Sequence, residues 1–117
     1  MTKQEKLRSR YLDDPLPIRL GGLAANLGRA ASFSKHEGHR EAVSATLQES
    51  KWFIEWTAAE LEDKENAAEL VRLQIQLAIW QIQSINKWND NNWRSELGSQ
   101  SQQWSQRILE MSGLLSS

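Results

Sequence analysis

The chain has 117 residues, 39% hydrophobic and 25% charged, with six tryptophans, no cysteine and a formal net charge of −1. That length suits one domain with a sizeable core and that composition excludes wholesale disorder, while the missing cysteine excludes a disulfide framework, a thiolate metal site and a catalytic thiol. No apolar run approaches the ~18–20 residues of a membrane span, and near-neutral charge gives no electrostatic case for nucleic acid as the main partner.

Residues 1–13 are expected to form a short arm, flexible or packed on the rest; 1–10 carry a net +3 and no hydrophobic stretch of a secretory signal. We therefore expect a cytoplasmic protein, in keeping with the absent cysteine. Strand signals are scarce, so residues 14–117 read as one all-α domain, an up-down-up-down four-helix bundle. The first of its helices opens at Asp14-Pro15, an acid followed by a proline whose missing N–H costs nothing there. Leu16, Leu20, Leu23, Leu27, Ala31 and Ser34 then share a face, and Gly38 suits a left-handed stop.

The next helix runs from about His39 to Glu55 with Val43, Leu47, Ser50 and Ile54 inward. Thr57-Ala-Ala-Glu60 has the form of a capping box and predicts a new start at about Ala58. Without a breaker until Trp88, that helix would span about 31 residues, roughly 46 Å, and overhang its shorter neighbour. Asn89-Asp90-Asn91-Asn92 marks the last turn. Trp93, Leu97, Trp104, Ile108, Met111 and Leu115 then form a narrow stripe on a final helix. Residues 41–70 carry a net −6, read as a solvated face.

Several features exceed what such a bundle needs. Trp52 and Trp56 share a ridge with Ala45, roughly opposite the Val43/Leu47/Ile54 face, and so suit an interface. Trp80 and Trp88, on the overhang, need either the arm or a second chain to cover them. The apolar arc of that long helix, from Leu73 and Trp80 round to Ile75 and Ile82, spans about 220°, more than a one-sided surface helix uses. Gln74 and Gln81 fall inside it, as polar layers fixing register or as the wall of a pocket. Gly21, Ala24, Ala25, Gly28 and Ala31 make a row of small residues that permits close helix approach or floors a flat ligand.

Catalytic and metal patterns are sparse. His36-Glu-Gly-His39 lacks the i, i+4 spacing of a zinc helix, and no Glu-x-x-His pair of the di-metal bundles occurs. No metal or cofactor is expected. Arg29 and His36, separated by six residues, resemble the Arg-x(4–6)-His signature of the HEPN family, small helical bundles that are often dimeric and often ribonucleases. That resemblance implies that both side chains meet at a dimer cleft and cut RNA. It departs from the family in lying early in the chain and in having apolar Ala30 after the arginine. Leu20–Arg29 and Glu49–Ala58 are similar to small helical proteins of cyanobacterial type, a likeness that carries no activity over.

The composite reading is a non-enzymatic bundle acting through protein contacts, expected to self-associate as a dimer or to bind another protein. Its contact surface would hold Ala45, Trp52 and Trp56, then Trp80 and Trp88. The alternatives are a small-ligand pocket formed by Gly21, Ala24, Gly28, Gln74 and Gln81, and the HEPN-like ribonuclease.

Overall fold

The computed structural model describes residues 1–115, and among these the regular structure is entirely helical. The first helix, α1 (Lys3–Asp13), lies where an arm was expected. The Thr2 hydroxyl caps it by accepting from the Glu5 N–H at 3.1 Å, and Tyr11 near its end is buried. Helix α2 (Leu16–Phe33) follows, with Leu20, Leu23, Leu27 and Ala31 buried as their spacing requires. A 3-10 turn over Glu37–His39 then leads into α3 (Arg40–Thr57), which buries Val43, Leu47, Ser50 and Ile54. Gly38 belongs to that turn with no left-handed backbone; the positive φ among the described residues falls at Gly113, 78°, where the last helix ends.

The predicted helix start at Ala58 is corrected. Ala58–Glu60 is one 3-10 turn continuing from α3, and α4 begins at Lys64, where the Asp63 carboxylate accepts from the Glu65 and Asn66 N–H groups. Glu60 does not close a capping box because Arg19 takes its carboxylate from both sides, at 2.6 and 3.0 Å. The result is a 24-residue α4 (Lys64–Lys87) beside an 18-residue α3, roughly 36 against 27 Å, with far less overhang than expected. Helix α5 (Asn91–Ser112) starts from Asp90, whose carboxylate accepts from the Asn92 and Trp93 N–H groups.

Helix α2 packs most extensively on α5 and next on α3, while α4 lies on α3 and touches α5 sparsely. The α2–α5 contact is close because its residues are small. Ser101 and Ser105 each donate a hydroxyl hydrogen bond across it at 2.7 Å, to the carbonyls of Leu27 and Ala24. A Cβ on Gly98 would stand 2.7 Å from the Ser34 hydroxyl oxygen and 3.5 Å from the Ala31 carbonyl. The buried face of α5 therefore comprises Arg94, Leu97, Ser101, Ile108 and Ser112. Trp93, Trp104 and Met111, expected in its centre, pack at its flank, and Leu115 is 60% exposed.

The N-terminal end is tied by one junction. The Tyr11 ring stacks on Phe53 at 3.9 Å, its hydroxyl donates to the Arg19 carbonyl at 2.6 Å, and Thr57 donates to it at 3.4 Å. Burial pushes the Tyr11 phenol up from 10.0 to about 12, because the phenolate has no water there. A raised folded-state pKa leaves stability intact below the unfolded value and removes it as pH climbs to the folded one.

Two outcomes follow from this packing. Tyr11 is the single tyrosine, so tyrosinate absorbance reads it directly. It is expected to titrate near 12 in the native protein and near 10 in denaturant, with about 2–3 kcal/mol of stability lost between. Gly98→Val, which must push Ser34 away, is expected to cost about 2 kcal/mol in denaturant unfolding, whereas Gly38→Ala, with nothing within 4 Å, is expected to leave stability nearly unchanged.

Candidate interaction surface

Helix α4 turns one row of side chains inward: Leu70, Leu73, Leu77, Trp80 and Ser84 are buried. At about 100° per residue the opposite row is Val71, Ile75, Ile79, Ile82 and Ile85. All five are exposed, at 47, 57, 41, 69 and 65%. Single exposed aliphatic residues are ordinary on protein surfaces, but five in line on one helix form a continuous apolar stripe. The two rows together account for the 220° arc. Half of it faces the core and half faces solvent.

The predicted tryptophan surface divides. Trp80 and Trp88 are corrected to core residues, 4 and 5% exposed. Trp88 follows directly on α4 and is covered by the turn before α3, where its indole N–H donates to the Glu37 carbonyl at 2.6 Å, and by Arg94, whose guanidinium carbon lies 5.6 Å from its ring. Trp52 and Trp56 stack on each other at 6.2 Å and stay half-buried, and Ala45 is exposed. Trp56 also meets Tyr11 and Phe53 and packs on the core, so Trp52 is the more outward ring.

The predicted pocket is not assembled, because its two halves face different helices. Ala24 and Gly28 meet Ser105 of α5, and Gly21 lies under Leu114. Gln74 and Gln81 instead bond α3: Gln74 donates to the Lys51 carbonyl at 3.4 Å, Gln81 donates to Gln48 at 3.3 Å and accepts from the Lys51 ammonium at 2.8 Å. The glutamines thus satisfy their amides between helices, as register-fixing layers do.

Arg29 and His36 are also held separately. The Arg29 guanidinium donates to the Asn26 side chain, and the His36 ring lies edge-on to His39 at 5.0 Å. Among the described residues no group of three or more His, Asp or Glu side chains converges as a metal site needs. Two ion pairs, Arg19 with Glu60 and Arg107 with Glu69, occupy part of the acidic 41–70 segment. Arg19 holds the Glu60 carboxyl below its ordinary value, chiefly by hydrogen bonding.

With this geometry in view, no family model, no curated protein and no solved structure matches the chain.

The two exposed-side tryptophans should differ in energetic weight. Trp56→Ala is expected to destabilise by about 2 kcal/mol, as loss of a partly buried aromatic packed on Tyr11 and Phe53 does. Trp52→Ala is expected to cost under about 1 kcal/mol by the same urea titration.

Proposed function

We propose that this is a non-enzymatic helical protein of the cytoplasm that works through protein contacts, and that its first partner is a second copy of itself. In this reading α2 to α5 make an up-down-up-down bundle with α1 strapped to one end. The observation that carries the reading is the solvent-facing row Val71, Ile75, Ile79, Ile82 and Ile85 on α4.

Four properties of that row favour a like chain as occupant. Its steps of four, four, three and three residues average 3.5, the spacing that keeps a seam aligned with another helix. Every member is β-branched, a side chain that loses little rotamer freedom on packing. The exposed portions amount to roughly 500 Å² per copy, so a symmetric pair buries about 1,000 Å², the size at which specific interfaces begin. Finally, residues 62–65 at the start of α4 carry three acids against Lys64, a net −2, and its end carries Lys87. An antiparallel two-fold pair brings unlike charges together, whereas a parallel pair would stack the acids.

Pairing about Ala78 sets Val71 near the partner copy's Ile85 position and Ile75 near its Ile82 position. Trp52 adjoins this seam, since Lys51 beside it bonds both Gln74 and Gln81 of α4. The tryptophan ridge then serves as the rim of the interface.

Sedimentation equilibrium tests the reading. At tens of micromolar the wild type is expected at twice its 13.4 kDa chain mass, and Ile75→Asp with Ile82→Asp at one chain mass with unchanged helical circular dichroism. A monomeric wild type at high micromolar concentration overturns self-association. If Trp52→Ala with Trp56→Ala dissolves the dimer and the aspartate pair does not, the ridge and not the stripe is the contact. The cysteine-free background makes orientation readable: Ile79→Cys should cross-link between copies and Val71→Cys should not, whereas in a parallel pair both would.

A further inference from the structure

Alongside the close contact between the end of α2 and the start of α5 runs an open groove of about 750 Å³. Gly28 and Ala31 border it on the α2 side, and Ser32, Lys35, Ser99 and Arg94 bring hydroxyl and cationic groups to it. No carboxylate is among its lining residues. Of the sequence-predicted pocket it includes Gly28 but not Gln74 or Gln81, and it involves neither the α4 stripe nor the tryptophan ridge.

Arg94 is the unusual member. It is only 7% exposed, and its Nε is buried with no hydrogen-bond partner. Its terminal nitrogens reach neutral acceptors, the Ser34 carbonyl at 3.4 Å and the Asn91 side chain, and its plane lies over Trp88. The two carboxylates nearest in sequence are engaged elsewhere: Glu96 accepts from the Gln100 amide at 2.7 Å, and Asp90 accepts from the N–H groups of Asn92 and Trp93. Arginines this buried are ordinarily matched by a carboxylate, because an uncompensated charge out of water is unfavourable. Arg19, buried to the same degree, obeys that rule here with Glu60. Arg94 also stands in the first turns of α5, where the helix dipole adds positive potential, and meets the C-terminal end of α2 through its bond to the Ser34 carbonyl.

We infer that this groove takes an oxyanion of phosphate type, as the free ion or as the phosphate group of a small metabolite. Arg94 supplies the buried charge and a planar donor fork suited to such oxygens. Lys35 supplies a second, mobile charge from the rim, and the Ser32 and Ser99 hydroxyls supply neutral donors. The volume exceeds what a lone phosphate fills, which leaves room for an organic body against Gly28 and Ala31.

Trp88 under the guanidinium gives a direct readout. Titration of the intact chain with inorganic phosphate and with glycerol phosphate, at ionic strength held constant with chloride, is expected to change tryptophan fluorescence saturably and to raise the unfolding temperature. A glycerol phosphate affinity tenfold or more above that of inorganic phosphate would assign the site to a phosphorylated metabolite, and equal affinities to the free ion. Lys35→Gln, at an exposed position, should weaken binding several-fold without altering the fold. Arg94→Met should abolish the phosphate response, and in phosphate-free buffer it should unfold at the wild-type temperature or above, since it removes an unmatched charge. A wild type that responds to phosphate no more than to chloride overturns the proposal. So does an unchanged phosphate response in both Lys35→Gln and Arg94→Met.

Discussion

The close contact of α2 with α5 sets the rest of the molecule. Two serine hydroxyls, Ser101 and Ser105, donate to backbone carbonyls of Leu27 and Ala24 across it. A carbonyl in a helix has a second lone pair free for such a bond, so neither helix gives up its own ladder. The geometry demands small residues on both sides. Gly98 has no room for a Cβ, and Ala24, Gly28 and Ala31 supply the facing surface. Glycine inside a helix costs about 1 kcal/mol relative to alanine, and the hydrogen bonds and dense packing offset that loss.

Tight pairing of α2 with α5 has a consequence for α4. With α2 occupied by α5 and α3, α4 docks mainly on α3 and reaches α5 through a few polar contacts, such as the Arg107–Glu69 pair and the Trp93 N–H on Gln83. It therefore buries one row and leaves the opposite row to solvent. The exposed isoleucines are a result of topology, because the helix that carries them has neighbours on one side only. Val and Ile stand at positions where polar residues would satisfy the fold equally, and that surplus of apolar surface is the ground for the proposed self-association.

The N-terminal end is organised by polar contacts instead. Tyr11 brings α1 onto α3 through Phe53 and onto α2 through the Arg19 carbonyl. Arg19 in turn grips Glu60 and accepts the constraint of the Asp14 carbonyl at 3.1 Å. One arginine thus decides where α3 ends and how the chain turns into α4. That is why the Thr57–Glu60 signal misled: a capping box requires its glutamate to reach back to the local backbone, and here a residue 41 positions away competes for the same oxygens and wins with a charge-assisted pair.

The same physics explains what could be read from residues alone. For α2 and α3, the contacts are aliphatic, so the three- and four-residue spacing of Leu20, Leu23, Leu27 and of Val43, Leu47, Ile54 located their inner faces. Apolar periodicity reports a neighbour only when the neighbour is met through apolar atoms. On α5 it is met largely through Ser101, Ser105 and Gly98, so the stripe through Trp93, Leu97, Trp104, Ile108, Met111 and Leu115 includes the buried Leu97 and Ile108 but is centred about 50° to one side of the buried face. The segment 99–106, rich in Ser and Gln and without an apolar pattern, supplies both hydroxyl contacts of that interface, Ser101 and Ser105. On α4 the error ran the other way. Its apolar arc is too broad for one neighbour, but a helix expected to span about 31 residues puts Trp80 and Trp88 on an uncovered overhang, whereas the 24-residue α4 leaves both in the core. Large aromatics fill core space well, and here the fold spent both on the interior; the β-branched residues on the far side of the same helix, each smaller and together continuous, are the ones it left uncovered.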